Sequence, residues 1–257
     1  MHSSSASLFA RAVACAAVVL SASGQAFEVA SVKPTTPGEP VIAMLTYPGG
    51  RIIVTNYTLK MLIHEAYEID DQFIQGGPGW TSQVRYSISA QPPADSPSSK
   101  INPSNPKLTP PAEELAMLRT LLAERFHLKI REEIREGQVY SLTVSSSGHK
   151  LKPPKDPNTF AYIGTGGFST RPGLIRSANA TMALLARGLT RLAGRPVIDR
   201  TGLEGAYDFE FEFARGLSES PLPSLPAALQ ELGLRLTPEK GPVRYIVIDQ
   251  AEQPGEN

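Results

Sequence analysis

Two similar stretches of sequence decide how this chain folds, NYTLKMLIHEAY at residues 56–67 and NATMALLARGLT at residues 179–190. Each begins with Asn-x-Thr and continues with apolar residues at the spacing of one helix face. A threonine hydroxyl at a helix start can accept a hydrogen bond from a backbone N–H of the first turn. We therefore expect Thr58 and Thr181 to cap two amphipathic helices, each with its apolar stripe against a sheet. The stripes are Leu59, Leu62, Ile63, Ala66 and Tyr67 in the first stretch and Met182, Leu185, Ala186 and Leu189 in the second.

The segments around the two helices follow the same order, which is strand, helix, strand, helix, strand, strand. The remaining elements of the first half are strands at 51–55, 85–90, 128–130 and 139–144 and a helix at 113–126. Those of the second half are strands at 174–177, 207–213, 234–236 and 243–248 and a helix that we expect Ser224 to cap. This pattern predicts an α+β fold of two pseudo-repeats, with helices packed on mainly antiparallel sheets and an internal duplication as its origin. Chance agreement of two α+β segments is the alternative.

The chain start has the pattern of a secretory signal. Arg11 precedes the apolar run at 12–22, and Gly24 and Ala26 are small residues at the −3 and −1 positions of a cut before Phe27. The run is shorter than the ~20 residues that span a bilayer. We expect residues 1–26 to be a signal peptide and the protein to be periplasmic or secreted, with no membrane span after cleavage; an uncleaved anchor is the alternative.

Proline marks the further divisions of the chain. Seven prolines fall at residues 92–111, and this segment, 91–111, is interpreted as a Pro-rich linker inside the first half. The predicted halves are 27–150 and 151–257. Cys15, the only cysteine, lies in the presumed signal, so the exported part can form no disulfide. The 25 basic and 25 acidic side chains balance, which gives no electrostatic case for a nucleic-acid partner.

Motifs for chemistry are incomplete. The pair His64-Glu65 begins like a zinc-protease HExxH but lacks the second histidine. The S-x-x-K at 147–150 and the glycine-rich segment 164–167 lack the partner motifs of a penicillin-binding enzyme and the lysine of a phosphate loop. The acidic residues Asp208, Glu210 and Glu212 alternate with aromatics and predict the solvent face of a strand. We therefore assign no catalytic, cofactor-binding or metal-binding residue from sequence.

The loop at 76–80 carries the only tryptophan. An aromatic displayed by a loop of small residues can anchor a partner. Trp80, with Gly77 and Pro78, is therefore the candidate partner-binding group, and a tryptophan that folds back as a plug over the core is the favoured alternative. Asn56 and Asn179 also match the glycosylation pattern N-x-[ST], but we interpret both as turn residues between strand and helix.

Six stretches of the chain resemble an uncharacterised secreted family of unknown function that is expanded in soil acidobacteria. They are residues 27–34, 76–80, 121–130, 148–153, 194–213 and 232–249. The resemblance implies an exported bacterial protein and no activity, because that family has no established catalytic residues. Each repeat core is also similar, more faintly, to the short N-terminal domains of secretins and TonB-type outer-membrane receptors, which dock other proteins.

The sequence favours an extracytoplasmic binding or protein-interaction module of unknown ligand. Its partner would be an unknown envelope or secreted protein, bound through strand addition or through the Trp80 loop. The main alternative is a secreted hydrolase-type enzyme. That interpretation requires a concave site that gathers His64, Glu68, Asp70 or Asp71. A structural component of the envelope is the third alternative.

Overall fold

The structure is a computed structural model and describes residues 26–100, 112–156, 162–164, 173–214 and 221–255. Its helices are α1 (Leu59–Tyr67), α2 (Ala112–Arg125), α3 (Met182–Ala193) and α4 (Leu225–Glu231). Its strands are β1 (Val29–Pro34), β2 (Ala43–Thr46), β3 (Ile52–Thr58), β4 (Ile74–Gly76), β5 (Arg85–Gln91), β6 (Lys129–Val144), β7 (Tyr162–Gly164), β8 (Leu174–Ala180), β9 (Val197–Asp199), β10 (Tyr207–Glu212) and β11 (Leu234–Gln250). The predicted α+β class is confirmed. The presumed signal up to residue 25 and the linker residues 101–111 lie outside the described residues.

Three sheets contain these strands. One has the order β1-β5-β3-β2 and another the order β10-β8-β7, and all pairs within both are antiparallel. The third, which we call the central sheet, has the order β4-β11-β6-β9 and contains strands from both halves. Its middle pair is antiparallel, whereas its two short outer strands run parallel to their neighbours. The sheets are therefore mainly antiparallel, as predicted.

The long strands β6 and β11 differ from the sequence prediction, which divided each of them in two. The Lys-Gly-Pro at 240–242 is a turn by sequence pattern, yet it continues β11, and Gly241 lies opposite Gly137 of β6. A Cβ added to Gly137 would stand 2.8 Å from the Val243 side chain, and one added to Gly241 would stand 3.0 Å from the Val139 side chain. The glycines therefore give room to two buried valines at the middle of the sheet.

The outer strands of the central sheet connect the two halves. Strand β4 follows α1 and pairs with residues 246–248 of β11, which belongs to the other half. Strand β9 follows α3 and pairs with residues 140–142 of β6, again in the other half. Each half therefore supplies the edge strand that lies beside the other half's long strand.

Each amphipathic helix covers one of two hydrophobic cores. All members of the predicted stripes are buried except Tyr67, which is half-buried. The core under α1 also contains Ile246 and Ile248 from the second half, and the core under α3 contains Leu142 from the first. None of the helices in the described part of the chain is long and apolar enough to cross a bilayer.

Both Asn-x-Thr segments form the same local structure. The hydroxyl of Thr58 accepts a hydrogen bond from the N–H of Met61, and that of Thr181 accepts one from Leu184. The asparagines have φ of 63° and 49°, a region that asparagine tolerates better than most residues. Each lies in a β-bulge, where the pairing register shifts by one residue.

Both asparagines therefore lie in bulges inside β3 and β8, and not in turns between strand and helix as predicted. Asn56 is buried, and its Nδ2 donates to the carbonyl of Glu39 at 2.8 Å. Because Asn56 is buried, the folded protein leaves little room for a glycan on this nitrogen.

Candidate functional site

A cleft of about 900 Å³ lies between α1 and α3. Its floor is apolar and includes Ile69 and Phe73 from the first half and Ile175, Leu189 and Phe211 from the second. Its rim carries ionisable groups from both helices and from the turn after α1. A volume near the upper end of the usual range for ligand pockets, with an apolar floor and a few polar groups, is typical of a binding site.

Ion pairs cross the cleft from one helix to the other. Arg187 on α3 donates to Glu68 at 2.6 Å, and the Nε of Arg191 lies 3.6 Å from the Oδ2 of Asp70. The side chains of Glu68 and Arg191 are 51% and 69% exposed. The partners Arg187 and Asp70 are more buried, at 32% and 14%, so solvent screens only one side of each pair.

His64 makes the third contact across the cleft. Its Nε2 lies 3.2 Å from the Nη2 of Arg191. A guanidinium has only donors, so Nε2 accepts the hydrogen bond and the ring proton stands on Nδ1. The Nδ1 atom lies 3.5 Å from the Oδ1 of Asp71, which is close enough for attraction but outside hydrogen-bond geometry.

Burial shapes the electrostatics near His64. It raises the pKa of the Asp71 carboxyl above its ordinary value, while the nearby His64 opposes that rise and Asp70 adds to it. Burial also raises the pKa of the Tyr57 hydroxyl, with Glu65 as a second cause, and the charge of Arg191 opposes it. The rim is thus a set of coupled charges on an otherwise apolar cleft.

The sequence analysis named only part of this site. The structure brings together His64, Glu68, Asp70 and Asp71, the residues on which the enzyme alternative depends. The sequence did not point to Arg187 and Arg191 of α3. When the two Asn-x-Thr stretches are aligned, His64 and Glu68 take the same positions as Arg187 and Arg191, and this match between complementary side chains was the available signal.

Trp80 lies apart from the cleft. It is half-buried, packs against the first core and stacks on Phe126 with ring centroids 6.5 Å apart. The adjacent Gly77 and Pro78 are exposed, and the carbonyl of Pro78 accepts hydrogen bonds from Thr81. This placement agrees with the plug alternative; partner binding by Trp80, Gly77 and Pro78 stays a prediction.

Two other candidates from sequence lie in turns or strands. The S-x-x-K at 147–150 lies in a turn in which the N–H of Gly148 donates to the carbonyl of Ser145. Gly164 ends β7, and residues 165–167 of the glycine-rich segment lie outside the described residues. The S-x-x-K turn is not the helix start that the serine–lysine motif of a penicillin-binding enzyme needs.

The acidic strand β10 has one member with a further role. Phe209, Phe211 and Phe213 are buried, which confirms the predicted alternation. Asp208, however, accepts backbone hydrogen bonds from Asn179 and Lys155, and these lower the pKa of its carboxyl. It thus holds the bulge before α3 rather than merely facing solvent.

Metal binding finds no support in the described ranges, where no group of three or more His, Cys, Asp or Glu side chains is arranged to hold an ion. The ionisable groups of the cleft are instead engaged with the arginines of α3.

Comparison with known protein families gives one match. The model of the family described as "Protein of unknown function (DUF3738)" matches residues 60–251, about three quarters of the chain. The chain belongs to this family. No curated protein and no solved structure matches it. The DUF3738 match includes both helices that border the cleft, so the cleft lies within the family's domain.

Proposed function

We propose that this member of the DUF3738 family is a binding module whose ligand enters the cleft between α1 and α3. The observation that supports it is the cleft itself. It has a volume of about 900 Å³, an apolar floor and a rim of ion pairs. Burial of an apolar ligand group on that floor supplies binding free energy of roughly 25 cal/mol per Å² of apolar area. The rim then orients the ligand.

The charges of the rim favour a short apolar peptide as ligand. Arg187 and Arg191 can receive a carboxylate, whereas Glu68, Asp70 and Asp71 can receive an ammonium group. A peptide carries both groups at its ends and apolar side chains between them. A ligand with a single charge would leave one set of rim groups without a new partner, and it would still displace their present ones.

The site of action that we propose is outside the cytoplasm, in the periplasm or in the medium. The signal pattern of residues 1–26 and the resemblance to secreted proteins of soil acidobacteria support this location. The faint similarity to the domains of secretins and TonB-type receptors supports binding of an envelope or secreted protein. A peptide segment of such a protein fits the cleft by the same chemistry.

The test of the proposed function uses the fluorescent probe ANS, which combines an apolar ring system with a sulfonate, and the peptide trileucine. We expect ANS to bind one site and trileucine to displace it. Ala183 lines the cleft and is exposed, so Ala183→Trp should fill the cleft without disturbing the core and abolish ANS binding. Ala94→Trp, at an exposed position outside the cleft, is the matched control and should bind as wild type.

Each outcome of this test has a separate meaning. ANS binding that survives in Ala183→Trp would show that the cleft is not the site. Binding that disappears in this variant but is not displaced by trileucine would retain the cleft and reject the peptide. A double variant Arg187→Gln/Arg191→Gln should weaken trileucine binding several-fold, since each guanidinium contact to a carboxylate contributes as a charged hydrogen bond.

A hydrolase is the second candidate function, and the contact between Asp71 and His64 favours it. A carboxylate beside Nδ1 leaves Nε2 as the basic nitrogen, which is the arrangement of a general base. Arg191 occupies Nε2 and would have to move onto the substrate before catalysis. Hydrolysis of p-nitrophenyl esters by the wild type, lost in His64→Gln and retained in His149→Gln, would support this candidate; equal rates in both variants would reject it.

We also infer an internal duplication as the origin of the fold. It is supported by the order strand, helix, strand, strand, helix, long strand that β3 to β6 and β8 to β11 share, and by the reciprocal pairing of β4 and β9. The capped helix starts and the bulges at Asn56 and Asn179 also support it. The cleft lies where the two copies of the helix face each other. In this proposal the two copies have come to carry complementary rim charges.

A further inference from the structure

We propose that Gly188 determines the specificity of the cleft, because it leaves room for an aliphatic side chain of the size of leucine at the carboxyl end of a bound peptide. Gly188 lies on the wall that α3 contributes to the cleft. This inference rests on the proposed function, since it concerns which peptides the same cleft accepts.

Gly188 occupies a position at which glycine weakens a helix. It lies in the interior of α3, and it is the only glycine inside an α-helix in the part of the chain that the structure describes. Glycine in a helix interior is destabilising relative to alanine, because glycine loses more conformational freedom on folding. The glycine therefore does not serve the stability of α3.

The packing around Gly188 does not require a glycine either. Its φ is not positive, and a Cβ added to it would stand 3.6 Å and 4.0 Å from two carbons of the Ile163 side chain, which are ordinary van der Waals distances. At Gly233, by contrast, a Cβ would overlap the carbonyl oxygen of Gly148. The fold thus excludes a side chain at Gly233 and admits one at Gly188.

The missing side chain leaves a gap in an apolar part of the cleft wall. Leu184 and Leu192 lie one helical turn before and after Gly188, and both line the cleft. Ile163 of β7 lines it as well, and these three side chains are only partly buried against the second core. A ligand therefore meets an apolar surface with a gap at its centre, which we call the Gly188 gap.

The arginines beside this gap indicate which part of a peptide reaches it. Residues three positions apart are neighbours on a helix surface, which makes Arg191 the neighbour of Gly188. Arg187 is the neighbour of Leu184 for the same reason. A peptide carboxylate held by these guanidiniums is bonded to the Cα of the last residue. The side chain of that last residue is therefore the group that meets the Gly188 gap.

The experiment measures the affinity of the full chain for trileucine and for Leu-Leu-Ala by isothermal titration calorimetry. The wild type should bind trileucine at least about tenfold more tightly, since each missing methylene in an apolar pocket lowers binding by roughly that factor. Gly188→Ala fills the gap. It should weaken trileucine binding roughly tenfold and leave the binding of Leu-Leu-Ala nearly unchanged.

Two further variants separate a role in specificity from a role in folding. Gly79→Ala adds a Cβ with no atom within 4 Å at a position outside the cleft, so it should keep the preference of the wild type. Gly188→Ala/Ile163→Val removes the Cδ1 that faces the added methyl group, and it should restore part of the affinity for trileucine. In thermal melts, Gly188→Ala should be folded, with its Tm raised by about 1–4 °C.

The outcomes separate this inference from the proposed function. Equal affinities of the wild type for the two peptides, or a preference for trileucine that Gly188→Ala leaves intact, would overturn the role of Gly188 and retain the cleft as a peptide site. A lowered Tm or a failure of Gly188→Ala to fold would also overturn it, because the fold would then need the glycine. Absence of binding of both peptides to the wild type would reject the peptide ligand, and the role of Gly188 with it.

Discussion

Thr58 and Thr181 are two residues whose role, that of a helix cap, was predicted directly from the sequence. Each hydroxyl accepts from a backbone N–H of the first helical turn, as the Asn-x-Thr pattern indicated. Ser224 also precedes a helix, but its side chain makes no cap hydrogen bond, so the predicted cap at Ser224 is wrong. The residue type is thus suitable in all three places, whereas the rotamer and backbone of the folded protein decide which of them acts as a cap.

This difference gives a matched test at the residue scale. Thr181→Ala should lower the free energy of unfolding by about 1 kcal/mol, because it removes the cap of α3. Ser224→Ala removes a hydroxyl at an equivalent helix start without a bond to lose, so its effect should stay within ~0.5 kcal/mol. Urea denaturation of both variants measures the two losses. Equal losses would show that the Thr181 hydrogen bond does not contribute.

The rim of the cleft shows what single residues could not predict. From sequence, His64 appears only in an incomplete zinc motif and in the enzyme alternative, because its contacts with Asp71 and Arg191 are not set by helical spacing. Arg191 stands 127 positions further along the chain. Local patterns report neighbours within one element, and only the packing of α1 opposite α3 brings these groups together.

At the scale of elements, the bulge between β8 and β10 depends on a carboxylate. Asp208 accepts from the N–H groups of Asn179 and Lys155, and these bonds lower the pKa of its carboxyl. A group whose pKa is lower in the folded state stabilises the protein above its unfolded pKa of about 3.9. That contribution is lost as the pH falls through the folded pKa.

Asp208→Asn should therefore be destabilising at pH 7 and nearly neutral in acid. We expect a loss of about 0.5–1.5 kcal/mol at pH 7, since the amide can replace only part of the acceptor capacity of the carboxylate. The difference from wild type should shrink as the pH falls below about 4. Thermal melts between pH 7 and pH 3 measure it, with Glu210→Gln on the same strand as control, and a difference that is constant with pH would contradict the assignment.

The long strands β6 and β11 are the elements that the sequence divided wrongly. The Lys-Gly-Pro at 240–242 indicated a break in β11, yet the missing side chains of Gly137 and Gly241 give room to Val243 and Val139. Whether a glycine ends a strand or admits a neighbour depends on the opposite strand, which local sequence does not specify. The strand signals on both sides of each glycine were correct.

Gly137→Ala tests this account of the central pair. Its Cβ would stand 2.8 Å from the Cγ2 of Val243, so the variant should lose roughly 1–3 kcal/mol through overpacking. Gly79→Ala is the control, because a Cβ there has no atom within 4 Å and Gly79 has no positive φ. Chemical denaturation of both should separate them; similar stabilities would show that the sheet adapts at no cost.

For the complete fold, the α+β class was predictable and the way the halves join was not. Periodicity and turn residues gave nearly all helices and most strands of both halves. The pairing of β4 with β11 and of β9 with β6 was missed, because a three-residue strand carries too little pattern to identify its partner. The cleft depends on this arrangement and was therefore not predicted as a site. Four residues at or near it, His64, Glu68, Asp70 and Asp71, were named only as the group that a hydrolase would require.

The reciprocal strands predict that neither half folds alone. Separated 27–150 lacks Ile246 and Ile248 of its own core and both neighbours of β6, and separated 151–257 lacks Leu142 and the partner of β9. Each fragment would expose an unpaired long strand together with apolar core surface. We expect poor dispersion in the ¹H–¹⁵N spectra of either fragment and recovery of the full-chain spectrum on equimolar mixing. A fragment that alone gives a dispersed spectrum and a cooperative melt would show that the halves are independent domains, and would remove the shared sheet as the reason that α1 and α3 face each other across the cleft.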